Sequence, residues 1–466
     1  MPKLKLTETV LRDGQQSLAG ARMTTEEMLP VLPTLDKVGY HSAEVFGGAT
    51  FDACLRYLNE DPWLRLRTIR TNMPHTKLQM IMRGQSLVGY RNYPDDIVQY
   101  FVQKAVAGGI DIVRVYDPLN DARNLETAIR AAKKEGAHVQ GALCYTTSPV
   151  HSAESYLDFA EQLISLGADS ICIKDMSGLL RPYEAYQLIK ALRASYPGLS
   201  IQLHTHDTTG MASMTVLKAV EAGVDVVDTA LSPFATASSL SSTESVASAF
   251  MNTPYVPELD THALSQATEY FSTLREKYMK NGKISSEFLK IDTSVLKHQI
   301  PGGMYSKMLA QICNYQSPEL LSRVLEEVPR VRADAGYVPL VTPISQIIGT
   351  QALHNVLDGE RYKTVTDEFM TLLSGGYGKT PAPIDDDFRH RILGEVIPIT
   401  YRPADALEPE VEYFRSTVAP YAEQEEDLLT LALFDKVAIK FFEWRKNQRY
   451  KLDRRAAKRS GTHPVG

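Results

Sequence analysis

Cysteine and tryptophan are scarce: four and two copies among 466 residues. Cys54, Cys144, Cys172 and Cys313 stand far apart and form no Cys-x-x-Cys pair. That spacing argues against a zinc ribbon or a disulfide framework and fits a reducing compartment. No apolar run reaches the roughly 18 residues a membrane-spanning helix needs. The first residues, Met1 to Glu8, lack the apolar stretch of a secretory signal. Neither sign of charge dominates. Fifty basic against 56 acidic side chains give a net charge of -6, which does not point to nucleic acid as a partner. No Gly-x-Gly-x-x-Gly follows the first apolar run, so a dinucleotide site is not expected. What remains is the expectation of a cytoplasmic globular chain of ordinary composition, 44% hydrophobic and 23% charged.

What is present is a rhythm. Apolar, β-branched runs start at Thr7, Ser42, Leu78, Ile110, Val139, Ser170, Ile201 and Val226, 25 to 36 residues apart. That is the length of a strand plus a crossover helix. The segments between them read as helices. One opens on Thr24-Thr25-Glu26-Glu27, a capping box, although Pro30 and Pro33 interrupt it. Others end at Gly108, Gly136, Gly167 and Gly223. Eight such units predict a (β/α)8 TIM barrel, with a doubly wound open sheet as the alternative. From about residue 285 the rhythm stops. Amphipathic helices are expected over 304–313, 318–328, 343–357 and 422–442. The expected division is a barrel over 1–285 and a helical region over 286–466. The latter ends in a basic tail with eight Lys or Arg against one Asp between Arg445 and Arg459, read as a solvated helix end.

Barrel chemistry sits at the C-terminal ends of strands. His204-Thr205-His206 ends the seventh run. Residues i and i+2 of a strand share a face, so the two imidazoles project together and can grip one transition metal. Asp13, after the first run, adds a carboxylate, and the three make a divalent-metal set suited to Zn, Mn or Co. Lys174 ends the sixth run. A protonated amine beside a cation is repulsive, so burial deprotonates it, carbamylation makes it an anionic ligand, or it pairs with Asp175 or Asp207 instead. Arg83 ends the third run and suits bidentate capture of a carboxylate, unless it pairs with a loop aspartate.

These residues lie in longer motifs. They are Leu-Arg-Asp-Gly-Gln-Gln-Ser at 11–17, Gly-Gly-Ala-Thr-Phe-Asp at 47–52, Met-Arg-Gly at 82–84 and Arg-Val-Tyr-Asp-Pro-Leu-Asn-Asp at 114–121. Ile-Lys-Asp-Met-Ser-Gly at 173–178, His-Thr-His-Asp-Thr-Thr-Gly at 204–210, Pro-Gly-Gly-Met-Tyr-Ser at 301–306 and Val-Thr-Pro at 341–343 follow in order. With them the chain resembles the carboxyltransferase family of biotin-dependent enzymes: pyruvate carboxylase, the oxaloacetate decarboxylase α subunit and a transcarboxylase subunit. The resemblance implies that Asp13, carbamylated Lys174, His204 and His206 bind the metal. It implies that Arg83 and Gln16 bind the keto acid, oxaloacetate or pyruvate. Thr342 is then the proton shuttle between biotin and the enolate, and the helical region is the funnel that admits biotin.

The motifs also depart from the family's pattern. Asp13-Gly14-Gln15-Gln16 replaces the commoner Asp-Ala-His-Gln, which leaves the roles of positions 14 and 15 open. Gln346 stands where pyruvate carboxylases usually carry Lys, and its run looks like the decarboxylase and transcarboxylase branches; the decarboxylase α subunit is expected, with a transcarboxylase subunit or a two-subunit pyruvate carboxylase as alternatives. Met279-Lys280-Asn281 lacks the second Met of a biotin-carrier site, so biotin is expected from a partner carrier protein unless the chain is a piece of a longer one. A homodimer, and membrane decarboxylase subunits that would hold the chain at the inner membrane face, are further expectations of the resemblance. Two other readings stand beside it: a metal-dependent aldolase or acyl-CoA synthase barrel, and a non-catalytic assembly subunit.

Overall fold

The structure is a computed structural model that describes residues 3–302, 304, 305, 308 and 318–449. The expected helix 304–313, the 301–306 motif, Cys313 and most of the basic tail therefore lie wholly or partly outside the described residues.

Eight parallel strands close into one barrel in sequence order. They are β1 Lys5–Glu8, β2 Ser42–Phe46, β3 Leu78–Arg83, β4 Ile112–Tyr116, β5 His138–Cys144, β6 Ser170–Asp175, β7 Ser200–Thr205 and β8 Val226–Thr229. Each strand is covered on both faces, so its residues are buried almost without break. This is why the runs read as continuous and β-branched rather than alternating. The open-sheet alternative falls because β1 pairs with β8, Lys5 opposite Val226.

The first and eighth strands are the shortest, four residues each. β1 stops at Glu8, whose buried Oε1 accepts from the backbone N–H of Thr9 (3.0 Å), Val10 (2.9 Å) and Leu231 (3.0 Å). The Thr9 N–H is shared between Glu8 and the Thr229 carbonyl of β8 (2.9 Å), and beyond it the chain turns into a π-helical turn, Val10–Gly14. The capping box at Thr24 and Glu27 is present, but the helix breaks into Thr25–Met28 and Leu32–Leu35 around Pro30.

The C-terminal helices Pro318–Asp334, Ile344–Asp358 and Asp367–Leu373 share a second apolar core around Val324, Val328, Ile348 and Phe369. The last helix, Asp427–Arg449, belongs instead to the barrel's core. Phe434 stacks on Phe51 with centroids 5.2 Å apart, and the Trp63 indole N–H donates to Thr430 Oγ1 at 3.0 Å. Among the described residues no helix is long and apolar enough to cross a membrane.

Candidate active site

The turn Val10–Gly14 is buried throughout and places Asp13 over the barrel mouth. Ser17 Oγ donates to Asp13 Oδ1 at 2.8 Å, and the Arg12 guanidinium lies 2.7 Å from Oδ2. Burial opposes ionisation there, but Arg12 and the two histidines overcome it and hold the carboxyl well below its usual range.

His204 and His206 meet Asp13 from β7. Their ring centroids are 5.1 Å apart. His204 Nε2 lies 3.4 Å from Asp13 Oδ2, and His206 Nε2 lies 3.5 Å from Oδ1. One donor atom from each of the three residues falls within 4.8 Å of the others. The opposite nitrogens are anchored: His204 Nδ1 to Asp228 Oδ2 and His206 Nδ1 to the Ser238 carbonyl, both at 2.7 Å. Burial pushes His204 down to about 4, so its imidazole is neutral at physiological pH. For His206 burial acts the same way, but the Asp13 carboxylate outweighs it and the net shift is upward. His204 Nε2 is buried without a hydrogen-bond partner among the described residues. An orphaned, neutral nitrogen beside a carboxylate and a second imidazole is the donor chemistry a divalent cation needs, and the three residues fit one.

Lys174 is opposite His204 in the β6–β7 register, and it is buried. The expected ion pairs do not form. Asp175 accepts from Leu179 N, Leu180 N and Thr205 Oγ1, and Asp207 from Ala212 N. Lys174 Nζ instead lies 5.1 Å from the centroid of the Tyr116 ring. Burial lowers its pKa, which favours the neutral amine.

Arg83 closes β3 opposite Tyr116 of β4. It makes no ion pair with a loop aspartate among the described residues. Its Nε donates to the Gly89 carbonyl at 3.1 Å, its Nη2 donates there too, and the guanidinium stands 5.3 Å from the Tyr90 ring centroid. A Cβ on Gly48 would stand 3.0 Å from that guanidinium and 3.1 Å from the Val88 carbonyl, so a larger residue there would press on Arg83. Gln16 is half-buried, and its Oε1 accepts from Arg12 Nη1 at 3.4 Å.

Thr342 comes from the helical region. Its neighbour Val341 is buried in a small cluster with Ile81, Tyr116, Ala142, Cys144 and Cys172, all from barrel strands. Val341 is thus a plug in the barrel mouth. It brings Thr342 to the end of the barrel where Tyr116 also meets Arg83 and Lys174. Thr342 is half-buried.

Sequence reasoning gave no role to Glu44, Arg114, Tyr116 or Asp228, although Arg114 and Tyr116 lie in the 114–121 motif. All four are buried in the strands beneath or beside the site. The signal for the charged three is a charged letter inside a β-branched run, as in Ile112-Val113-Arg114-Val115.

Comparison with known proteins points to one family. Residues 295–462 match the model of a "Conserved carboxylase domain", and residues 102–270 an "HMGL-like" model. The chain is 52% identical over 441 residues to a pyruvate carboxylase subunit of Methanocaldococcus jannaschii, covering 94% of this chain and 77% of that one. It is 48% identical to the "Methylmalonyl-CoA carboxyltransferase 5S subunit" of Propionibacterium freudenreichii, covering 94% and 87%. The carboxyl transferase domain of Rhizobium etli pyruvate carboxylase, solved with pyruvate and biocytin, superposes with a TM-score of 0.90 at 32% identity over 95% of this chain and 77% of that one. With the barrel, the helical region and these relatives in agreement, the chain belongs to the carboxyltransferase family of biotin-dependent enzymes.

Proposed function

We propose that this chain moves a carboxyl group between oxaloacetate or pyruvate and biotin, the latter a substrate carried on a partner protein. The observation that carries the reading is a convergence on one barrel mouth. The donor set Asp13, His204 and His206 stands there with Arg83, Lys174 and Thr342, the last three gathered towards Tyr116. Asp13, His204, His206 and a carbamylated Lys174 would hold a divalent cation, which supplies a Lewis acid for the keto acid's oxygen. Arg83, unclaimed by any aspartate among the described residues, pairs with the keto acid's carboxylate and offsets the charge that develops on the enolate. Gln16 contacts the same substrate. When the carboxyl group leaves oxaloacetate for biotin N1, the Thr342 hydroxyl takes the N1 proton and delivers its own to the enolate carbon. The reverse order serves carboxylation. In this reading residues 1–285 form the catalytic unit and 286–466 the unit that brings Thr342 to it.

The names of the relatives favour a carboxyltransferase subunit that works towards oxaloacetate, as in a two-subunit pyruvate carboxylase. The second reading is an oxaloacetate decarboxylase α subunit, which runs the same half-reaction backwards with membrane partners. Gln346 within Gln-Ile-Ile-Gly-Thr-Gln-Ala, where pyruvate carboxylases usually carry Lys, favours it or a transcarboxylase subunit over a pyruvate carboxylase. The test is to mix the chain with its cognate biotin protein and supply oxaloacetate, pyruvate or methylmalonyl-CoA. Avidin-sensitive carboxyl transfer to and from oxaloacetate is expected. Activity that ignores avidin and requires acetyl-CoA would replace this reading with the aldolase or synthase type.

A further inference from the structure

The donor set Asp13, His204 and His206 does not account for the charges buried below it. Glu44, Arg114 and Asp228 are at most 1% exposed, in the middle of β2, β4 and β8. Barrel interiors are normally filled by branched apolar side chains, and burying ions is costly. These three are not isolated. Arg12 pairs with both Asp13 and Glu44. Arg114 lies 3.4 Å from Glu44 and 2.6 Å from Asp228. Asp228 reaches His204 Nδ1, and His204 Nε2 returns to Asp13. The chain of contacts closes into a ring whose three carboxylates and two guanidiniums leave one negative charge, a complement to a cation above it.

Asp228 is where this ring meets a ligand. Its oxygens accept from Arg114 Nη1 at 2.6 Å, from Arg114 Nη2 at 3.2 Å and from Gln202 Nε2. A carboxylate clamped in that way offers His204 only an acceptor. Nδ1 must then carry the imidazole's proton, and the Nε2 lone pair is left facing Asp13 and His206. We propose that Asp228, locked by Arg114, is a positioning residue that fixes the tautomer and ring plane of His204 for metal binding. The proposal rests on the reading of Asp13, His204 and His206 as ligands.

Two measurements on the full chain test it. The first is Zn2+ affinity by chelator competition in the wild type, Asp228→Asn and His206→Ala. Asp228→Asn should bind Zn2+ about 10–100-fold more weakly. The second is the tautomer of His204 in the metal-free wild type, read by 15N-histidine NMR and assigned by its loss in His204→Ala. The Nδ1–H form is expected, and this decides the matter even if Asp228→Asn does not fold. Unchanged affinity in a folded Asp228→Asn, or an Nε2–H form at His204, would overturn the proposal alone. Wild-type affinity in His206→Ala would overturn the ligand reading beneath it.

Discussion

The floor and the roof of this site are built by opposite means. Below, Asp13 and His204 are held in a ring of buried polar and charged groups whose members come from four strands and one turn. Above, Thr342 is carried by Val341, whose side chain is held by apolar packing in a cluster with Tyr116, Ile81 and two cysteines. A polar ring fixes direction as well as position, because each bond has an angle to satisfy. Apolar packing fixes position and leaves a side chain's hydroxyl free to exchange partners. In the proposed reading, the metal ligands need the first and the proton shuttle needs the second.

Substitutions can separate the two. The largest effect is expected at the roof. Thr342→Ala should lower carboxyl transfer by about 10²–10⁴-fold, the usual worth of a positioned acid–base group. Bound metal and thermal stability should stay as in the wild type, and near-normal transfer would remove Thr342 from the chemistry. Arg83→Lys comes next. It keeps the charge and loses the planar fork, so KM for the keto acid should rise by roughly tenfold or more with a smaller change in kcat. A change confined to kcat would place Arg83 elsewhere in the reaction. Val341→Ala removes two methyl-sized groups from the plug and should cost about 2 kcal/mol, the transfer of two carbons plus a cavity term. Denaturant melts would measure that loss, and turnover should fall several-fold as Thr342 loses its seat. Unchanged turnover would mean that the seat is made by something else.

The smallest effect lies outside both regions. Glu27 accepts from Lys277 Nζ at 2.8 Å, the Tyr278 hydroxyl at 2.5 Å and Thr24 N at 3.0 Å. Burial works against ionisation, but these donors hold the carboxyl down at about 2, against an ordinary value of 4.5. A lowered carboxyl stabilises the fold fully above pH 4.5, and the gain disappears as the pH falls through 2. Glu27→Gln should therefore be less stable than the wild type by up to about 1 kcal/mol at neutral pH. Thermal melts of the two should converge below pH 2, and a gap that widens in acid would reverse the sign argued here.

Much of this was legible in the letters. Parallel strands covered on both faces must be apolar throughout, so their starts stood out as eight β-branched runs. The His204–His206 pair followed from the two-residue period of a strand. Where β1 ends was not legible, because Glu8 stops it with a bond to Leu231, far along the chain. Asp228 was hidden for the same reason. A single acid in Val226-Val227-Asp228-Thr229 has no visible purpose until Arg114 and His204 stand beside it. The periodicity also marked the final helix, but amphipathic spacing says only that a face is covered, and here the cover is the barrel.

That last helix gives the helical region two fastenings. The chain leaves the barrel after β8 and comes back to it at Phe434 and Thr430, which grip Phe51 and Trp63 behind β2. A segment tied at both ends cannot swing clear as a hinged lid does. Its release would strip an aromatic cluster whose members each cost about 3–5 kcal/mol to lose. Roof and barrel should consequently melt as one body, seen as a single transition in a thermal melt.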